Sequence, residues 1–268
     1  EWIDELTFDA WVYPDHSSAG NGATIASYGY GFEGWGIHLM CDDPLGVGCC
    51  PTGSHLDGSI GFFAKNAASC DDFASSTVAV SRGVWTHIAV TVTPGGGVYG
   101  NETLVAFYVD GNPAGETVTA FSTDFADVSF TGGYPTFGFG GAGECAGQGC
   151  LPFAGSMDTV RVWNTTIPAE VIPVLADGPT YRGFPFAEDV VLEFTFDAGA
   201  RATAGGDLSL QVPETSYAAL FATDIAEPFG DAAPYSGGAS LVLNASSPIW
   251  LRTSGGAAEG LSPEKFTF

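Results

Sequence analysis

Short runs of alternating apolar and polar residues recur along this chain, separated by breaks rich in glycine and proline. Leu6 to Tyr13 (LTFDAWVY) alternates and stops at Pro14. Thr86 to Thr93 (THIAVTVT) alternates most cleanly, with Ile88, Val90 and Val92 on one side. Side chains along a strand point to opposite faces in turn, so such runs predict strands with one buried face. The same pattern predicts strands at Ala23 to Ser27, Trp35 to Met40, Ser59 to Ala64, Thr77 to Val80, Leu104 to Val109, Thr136 to Phe139 and Met157 to Trp163. Asp57-Gly58 and Asp110-Gly111-Asn112-Pro113 are turn signals. One helical piece is expected near Pro168 to Leu175, and Pro173 limits it to a turn or two. Residues 177–185 (DGPTYRGFP) read as a linker. The strand pattern then restarts at Val190 to Phe196, Leu208 to Val212, Ser240 to Leu243 and Lys265 to Phe268.

Many short strands with turns rich in the 38 glycines and 16 prolines define an all-β protein built as a sandwich or barrel. With 268 residues, 45% of them hydrophobic, a sizeable core can be buried. Charge narrows the partners. Seven Lys plus Arg stand against 31 Asp plus Glu, a net charge of −24. Nucleic-acid binding rests on cations that neutralise phosphates, so that class is excluded. An anionic membrane surface would repel the chain for the same reason. The acidity reads as solvation and self-repulsion. There is no initiator Met and no apolar run long enough to span a bilayer, so the sequence is expected to be a processed or excised piece.

Cys41, Cys49, Cys50, Cys70, Cys145 and Cys150 show no zinc-type spacing, so disulfides outside the cytosol are the expectation. Cys145 and Cys150 bracket AGQG and are expected to close that loop. The other four are expected to pair among themselves. Three N-x-S/T sequons, at Asn101, Asn164 and Asn244, point to the same compartment and to covalent N-glycans.

Four runs, in order, carry a family resemblance: Leu6-Thr-Phe-Asp-Ala-Trp-Val-Tyr-Pro, Trp85-Thr-His-Ile-Ala-Val, Phe107-Tyr-Val-Asp-Gly-Asn and Phe153-Ala-Gly-Ser-Met-Asp-Thr-Val-Arg-Val-Trp-Asn. They resemble the laminin-G-like and pentraxin-like domains, which implies an antiparallel two-sheet jelly-roll β-sandwich of the concanavalin A-like type. Leu192-Glu-Phe-Thr-Phe-Asp-Ala-Gly and Gly238-Ala-Ser-Leu-Val-Leu-Asn-Ala resemble the opening strands of the same family. The resemblance therefore places 186–268 before 1–176 in the family's order, with 177–185 as linker. The jelly roll is then completed in cis, or in a neighbouring copy. Because open strand edges seek partners, a head-to-tail fibril or tandem array is the leading functional expectation. Trp2, Leu6, Phe8, Trp250, Phe266 and Phe268 are its candidate interface residues. The alternative is a lectin-like, carbohydrate-binding adhesion module.

Catalysis is not expected. The nearest carboxylate run to that of glycoside hydrolases is Glu1, Asp4 and Glu5, and a period of two sends Glu1 and Asp4 to opposite faces. Among His16, His38, His55 and His87, only His87 sits in a family-like strand, where a packed or hydrogen-bonded role fits. No cofactor motif is present. Calcium on loop carboxylates is the metal that the resemblance implies; Asp42, Asp43, Asp71 and Asp72 in the cysteine-bounded loops are the candidates for it, and two solvated acidic turns are the leading reading of the same residues. Trp11, Trp35, Trp85 and Trp163 are expected in the core. Tyr28, Tyr30 and Phe32 are candidates for stacking on sugar.

Overall fold

The computed structural model describes residues 5–15, 23–30, 33–40, 56–65, 73–97, 102–119, 136–139, 153–177, 184–194, 210–211, 221–222, 240–243 and 252–253. The strands are β1 (Leu6–Pro14), β2 (Ala23–Tyr30), β3 (Glu33–Leu39), β4 (Ser59–Lys65), β5 (Phe73–Ala79), β6 (Thr86–Pro94), β7 (Thr103–Val109), β8 (Asn112–Thr119), β9 (Thr136–Phe139) and β10 (Gly155–Trp163). A short helix, α1 (Ile172–Asp177), and a 3-10 turn (Ala187–Asp189) follow. Then come β11 (Val190–Phe194), β12 (Leu210–Gln211), β13 (Phe221–Ala222), β14 (Ser240–Leu243) and β15 (Arg252–Thr253).

These strands form an 8-stranded antiparallel sheet in the order β13-β14-β10-β1-β6-β7-β8, with β11 also on β10. A 5-stranded sheet runs β5-β4-β3-β2-β9, and β12 pairs with β15. The two large sheets are layered as a jelly-roll sandwich. Alternation on β1 sends Leu6, Phe8, Ala10 and Val12 inward, and β6 adds Ile88, Val90 and Val92. From the facing sheet come Ile25, Trp35, Ile37, Ile60 and Phe62. Phe8 meets Trp35 edge-on across the gap, with ring centroids 6.4 Å apart. Leu6 and Phe8, expected at a contact between copies, are therefore in this chain's own core, 2% and 0% exposed. The period of the strand that put them together also points them inward. Trp2, Trp250, Phe266 and Phe268 lie outside the described residues.

The free side of β10 is shared. Its N-terminal half pairs with β14 (Ser156 opposite Val242) and its C-terminal half with β11 (Val162 opposite Leu192). Strands from beyond the 177–185 segment thus extend this sheet within one chain. On the other side, edge strands β8 and β5 meet, and Thr77 donates its hydroxyl to the Ala114 carbonyl at 3.1 Å. The β7–β8 turn has φ 49° at Asp110 and 73° at Gly111, the paired positive values of a type I′ hairpin.

β10 does not keep a strict alternation. Between the Asp9–Arg161 and Trp11–Asp158 pairs it carries one residue more than β1, and Thr159 turns to φ 46° there. This bulge shifts the phase. Met157, Val160 and Val162 all reach the inner core, while Arg161 and Asp158 stand opposite Asp9 and Trp11 on the outer face.

Gly155 opens β10 at φ 149°, and a Cβ there would overlap the Tyr13 carbonyl of β1. Gly155→Ala must break the backbone pairing at that end or strain it. Chemical denaturation is expected to show a loss of about 3 kcal/mol or more for this variant; a loss below about 1 kcal/mol would show that the strands need not approach so closely.

Candidate functional site

The outer face of the large sheet is built from the residues of β1 and β6 that the core does not use. On β1 these are Thr7, Asp9, Trp11 and Tyr13; on β6 they are His87, Ala89 and Thr91, preceded by Trp85. The face has a closed part and an open part.

The closed part centres on Asp9, which is fully buried. Arg161 Nε donates to Asp9 Oδ1 at 2.9 Å, and Arg161 Nη2 donates to the same oxygen. Trp163 Nε1 donates to Asp9 Oδ2 at 2.6 Å, and His87 Nε2 lies 3.2 Å from Oδ1. Burial pushes the Asp9 carboxyl up, but the Arg161 charge and the hydrogen bonds from His87 and Arg161 outweigh it and hold the group below the usual carboxylate value. Arg161 Nη2 also donates to the Leu175 carbonyl at 3.3 Å, which ties α1 to the sheet. Ile172 and Leu175 of α1 pack with Trp163, Tyr108 and Ala89, and the Phe184 ring lies tilted against Trp163, centroids 5.7 Å apart. Asp9, His87, Arg161 and Trp163 are all fully buried, and the cluster positions the elements around it.

The open part begins one step along β1. Trp11 meets His87 edge-on at 5.5 Å, and Tyr13 lies 5.7 Å from Trp85. Trp11, Tyr13 and Trp85 are half-buried, His87 is fully buried, and neighbouring Val84 is 53% exposed. Trp11 and Trp85, expected in the core, thus lie on the outer face, because they share the phase of Asp9 and His87 and not that of Phe8 and Ile88. Trp35 is in the inter-sheet core, and Trp163 is buried beneath α1. Partial burial and the Asp15 carboxylate both raise the Tyr13 phenol above its usual value, so it stays protonated and able to donate. Arg82 and Asp57 pair at 3.0 Å near the surface, and Gly83 N–H donates to the Pro14 carbonyl at 2.8 Å, fixing the approach to Trp85.

Other candidates fall differently. Glu5 is exposed and its Oε2 accepts the Thr166 N–H at 3.1 Å, a structural contact; Glu1 and Asp4 lie outside the described residues. His38 is buried on β3, with Nδ1 3.2 Å from Thr24 Oγ1. His16, His55, Phe32, all six cysteines, Asn101, Asn244 and the four loop aspartates Asp42, Asp43, Asp71 and Asp72 lie outside the described residues, as do the side chains of Tyr28 and Tyr30. The β3–β4 and β4–β5 connections, which carry those aspartates, leave the sheet at opposite ends of β4. Among the described residues no cluster of His, Cys, Asp or Glu could hold a metal ion. No helix among them is long and apolar enough to cross a membrane.

The sandwich and its match define the class: residues 3–172 match the model of the laminin-G-type family described as the concanavalin A-like lectin/glucanases superfamily. The chain belongs to that superfamily. Among solved structures, it resembles a putative carbohydrate binding protein from Bacteroides ovatus, with TM-score 0.52 and 17% identity over 95% of this chain and 53% of that one. The chain thus spans about half of that protein's length. It also resembles a heptameric SAP-like pentraxin from Limulus polyphemus (TM-score 0.41, 16% identity, 65% of this chain and 70% of that one). A further likeness is to the Ruminococcus gnavus IT-sialidase CBM40 bound to α2,3-sialyllactose (TM-score 0.47, 12% identity, 65% and 84%). No curated protein sequence matches the chain.

Replacing Asp9 by Asn leaves Arg161 buried against a neutral partner, and such a broken pair costs about 3–5 kcal/mol. Arg161→Met made in the Asp9→Asn background is expected to cost far less than it does alone, the coupling a double-mutant cycle reads. The sign with pH follows from the lowered Asp9 value. Its stabilisation is complete above the ordinary 3.8 and is lost as pH falls through the folded-state value. Acid unfolding curves of Asp9→Asn should therefore be flatter than those of the unaltered protein below about pH 4. Equal slopes would place the acid sensitivity elsewhere.

Proposed function

We propose that this chain is a non-catalytic, extracellular carbohydrate-binding module whose sugar platform is the open aromatic strip of Trp11, Tyr13 and Trp85. The observation that carries this reading is the half-buried Tyr13–Trp85 pair at 5.7 Å, set beside the rigid Asp9 cluster. Sugar rings have apolar C–H faces and polar rims, and aromatic side chains with a hydrogen-bonding tip match both. Tyr13 supplies such a tip; Trp11 and Tyr13 stand on β1 and Trp85 directly precedes β6, so little order has to be gained on binding. The Bacteroides ovatus protein's description as a putative carbohydrate binding protein is in line with this reading.

End-to-end assembly has less in its favour. It called on Trp2, Leu6, Phe8, Trp250, Phe266 and Phe268 at a contact between copies, with the jelly roll completed in cis or by a neighbour's strands. Leu6 and Phe8 are buried at home, and β11 and β14 of the same chain line β10. Binding is the better use of the half-buried rings. The strong negative charge favours neutral or cation-bearing glycans over acidic ones.

A glycan array probed with the purified chain, with calcium and again with a chelator, tests the reading. Binding to at least one neutral polysaccharide is expected. Trp85→Ala and Tyr13→Ala should each weaken it about tenfold or more while leaving thermal unfolding within a few degrees. Loss confined to the chelator arm would instead place the site on the acidic loops, and unchanged binding by both variants would remove the platform from it.

A further inference from the structure

The sequon Asn164-Thr165-Thr166 occupies the bend that leads from β10 towards α1. The Asn164 side chain is half-buried and makes no hydrogen bond among the described residues. Its main chain and its two neighbours are held from several directions. Asn164 N–H donates to the Asp189 carbonyl at 2.8 Å. The Thr165 carbonyl accepts the Thr7 hydroxyl at 2.7 Å, and Thr7 Oγ1 in turn accepts the Ile167 N–H at 3.0 Å. Thr166 N–H donates to Glu5 Oε2, and the Thr166 hydroxyl donates to the Val92 carbonyl at 3.2 Å and lies 3.1 Å from Thr93 Oγ1. The partners come from the start of β1, the end of β6 and the 3-10 turn before β11. All of them arrive only when the sandwich forms.

A transferase that recognises N-x-T must reach the threonine hydroxyl together with the asparagine amide. In the folded chain Asn164 and Thr166 are both half-buried, and the Thr166 hydroxyl and the flanking backbone are taken up in hydrogen bonds. We infer that Asn164 is an N-glycosylation site that is modified before the sandwich closes and is sealed against the transferase afterwards. The transfer forms a bond from Asn164 Nδ2 to the anomeric carbon of a diphosphate-linked oligosaccharide. It breaks that carbon's bond to the diphosphate oxygen, and the amide proton leaves with the diphosphate. The site requires passage through a compartment that holds this donor; it does not depend on the chain binding carbohydrate.

Glycopeptide mass spectrometry of the unaltered full chain gives the test, since it reads Asn164 apart from Asn101 and Asn244. The chain is translated in the presence of endoplasmic-reticulum microsomes. Separately, unglycosylated folded chain and the same chain reduced and alkylated are each given solubilised oligosaccharyltransferase with its lipid-linked donor. Asn164 should be occupied in the microsomal product, and its modification in the alkylated chain should exceed that in the folded chain at least tenfold. An empty Asn164 in the microsomal product overturns the site. Equal modification of folded and alkylated chain overturns the sealing.

Discussion

Asp9 is charged, fully buried, and in contact with side chains from two other strands of its sheet. Removing a carboxylate from water costs several kcal/mol, so it persists only where donors replace the lost hydration. Arg161 supplies an opposite charge and a fork of donors, Trp163 a further N–H, and His87 closes the remaining side. Two nitrogens of the cluster, Arg161 Nη1 and His87 Nδ1, find no partner among the described residues. The favourable side of the account is therefore concentrated in the contacts to Asp9, not spread over a fully satisfied network. The arrangement also fixes register. A slip of one residue in β1 would turn Asp9 into the apolar core and Phe8 out of it.

The rest of the outer face follows from this constraint. Arg161 spans from Asp9 to the Leu175 carbonyl, so the cluster that orders β1, β6 and β10 also holds α1 in place. α1 is only 6 residues long and would not be stable alone. It is held by Arg161 and by the packing of Ile172 and Leu175 on Trp163 and Tyr108. Thr7 and Glu5 fasten the bend before it. Coverage ends where these anchors end. Beyond them Trp11, Tyr13 and Trp85 are left half-buried on a rigid sheet, the combination of preorganised scaffold and accessible aromatic surface that recognition sites share.

Much of this was legible in the sequence. The alternation of LTFDAWVY and THIAVTVT is that of β1 and β6, and Asp110-Gly111 makes the hairpin turn that its composition announces. β8 was not legible: NPAGETVT has no apolar alternation and carries proline at its second position, as suits an edge strand whose one face meets β5. The bulge at Thr159 also escaped, since a strict period of two sets Met157 and Val160 on opposite faces. A place on a strand does not by itself put a tryptophan in the core: Trp11 shares its phase with Asp9 and so faces outward. The Asp9–Arg161 pair did leave a trace. An arginine between Val160 and Val162, in a chain with only 7 Lys plus Arg, signals a buried partner for a carboxylate of the same phase.

Native-state hydrogen exchange reads the central dependence directly. If Asp9 and Arg161 bind α1 to the sheet, the amides of 172–177 and those of β1 and β10 should open together, with similar protection that falls in parallel as denaturant is added. Fast exchange throughout 172–177, with the sheet still fully protected, would contradict the account, because α1 would then leave without disturbing the cluster said to hold it.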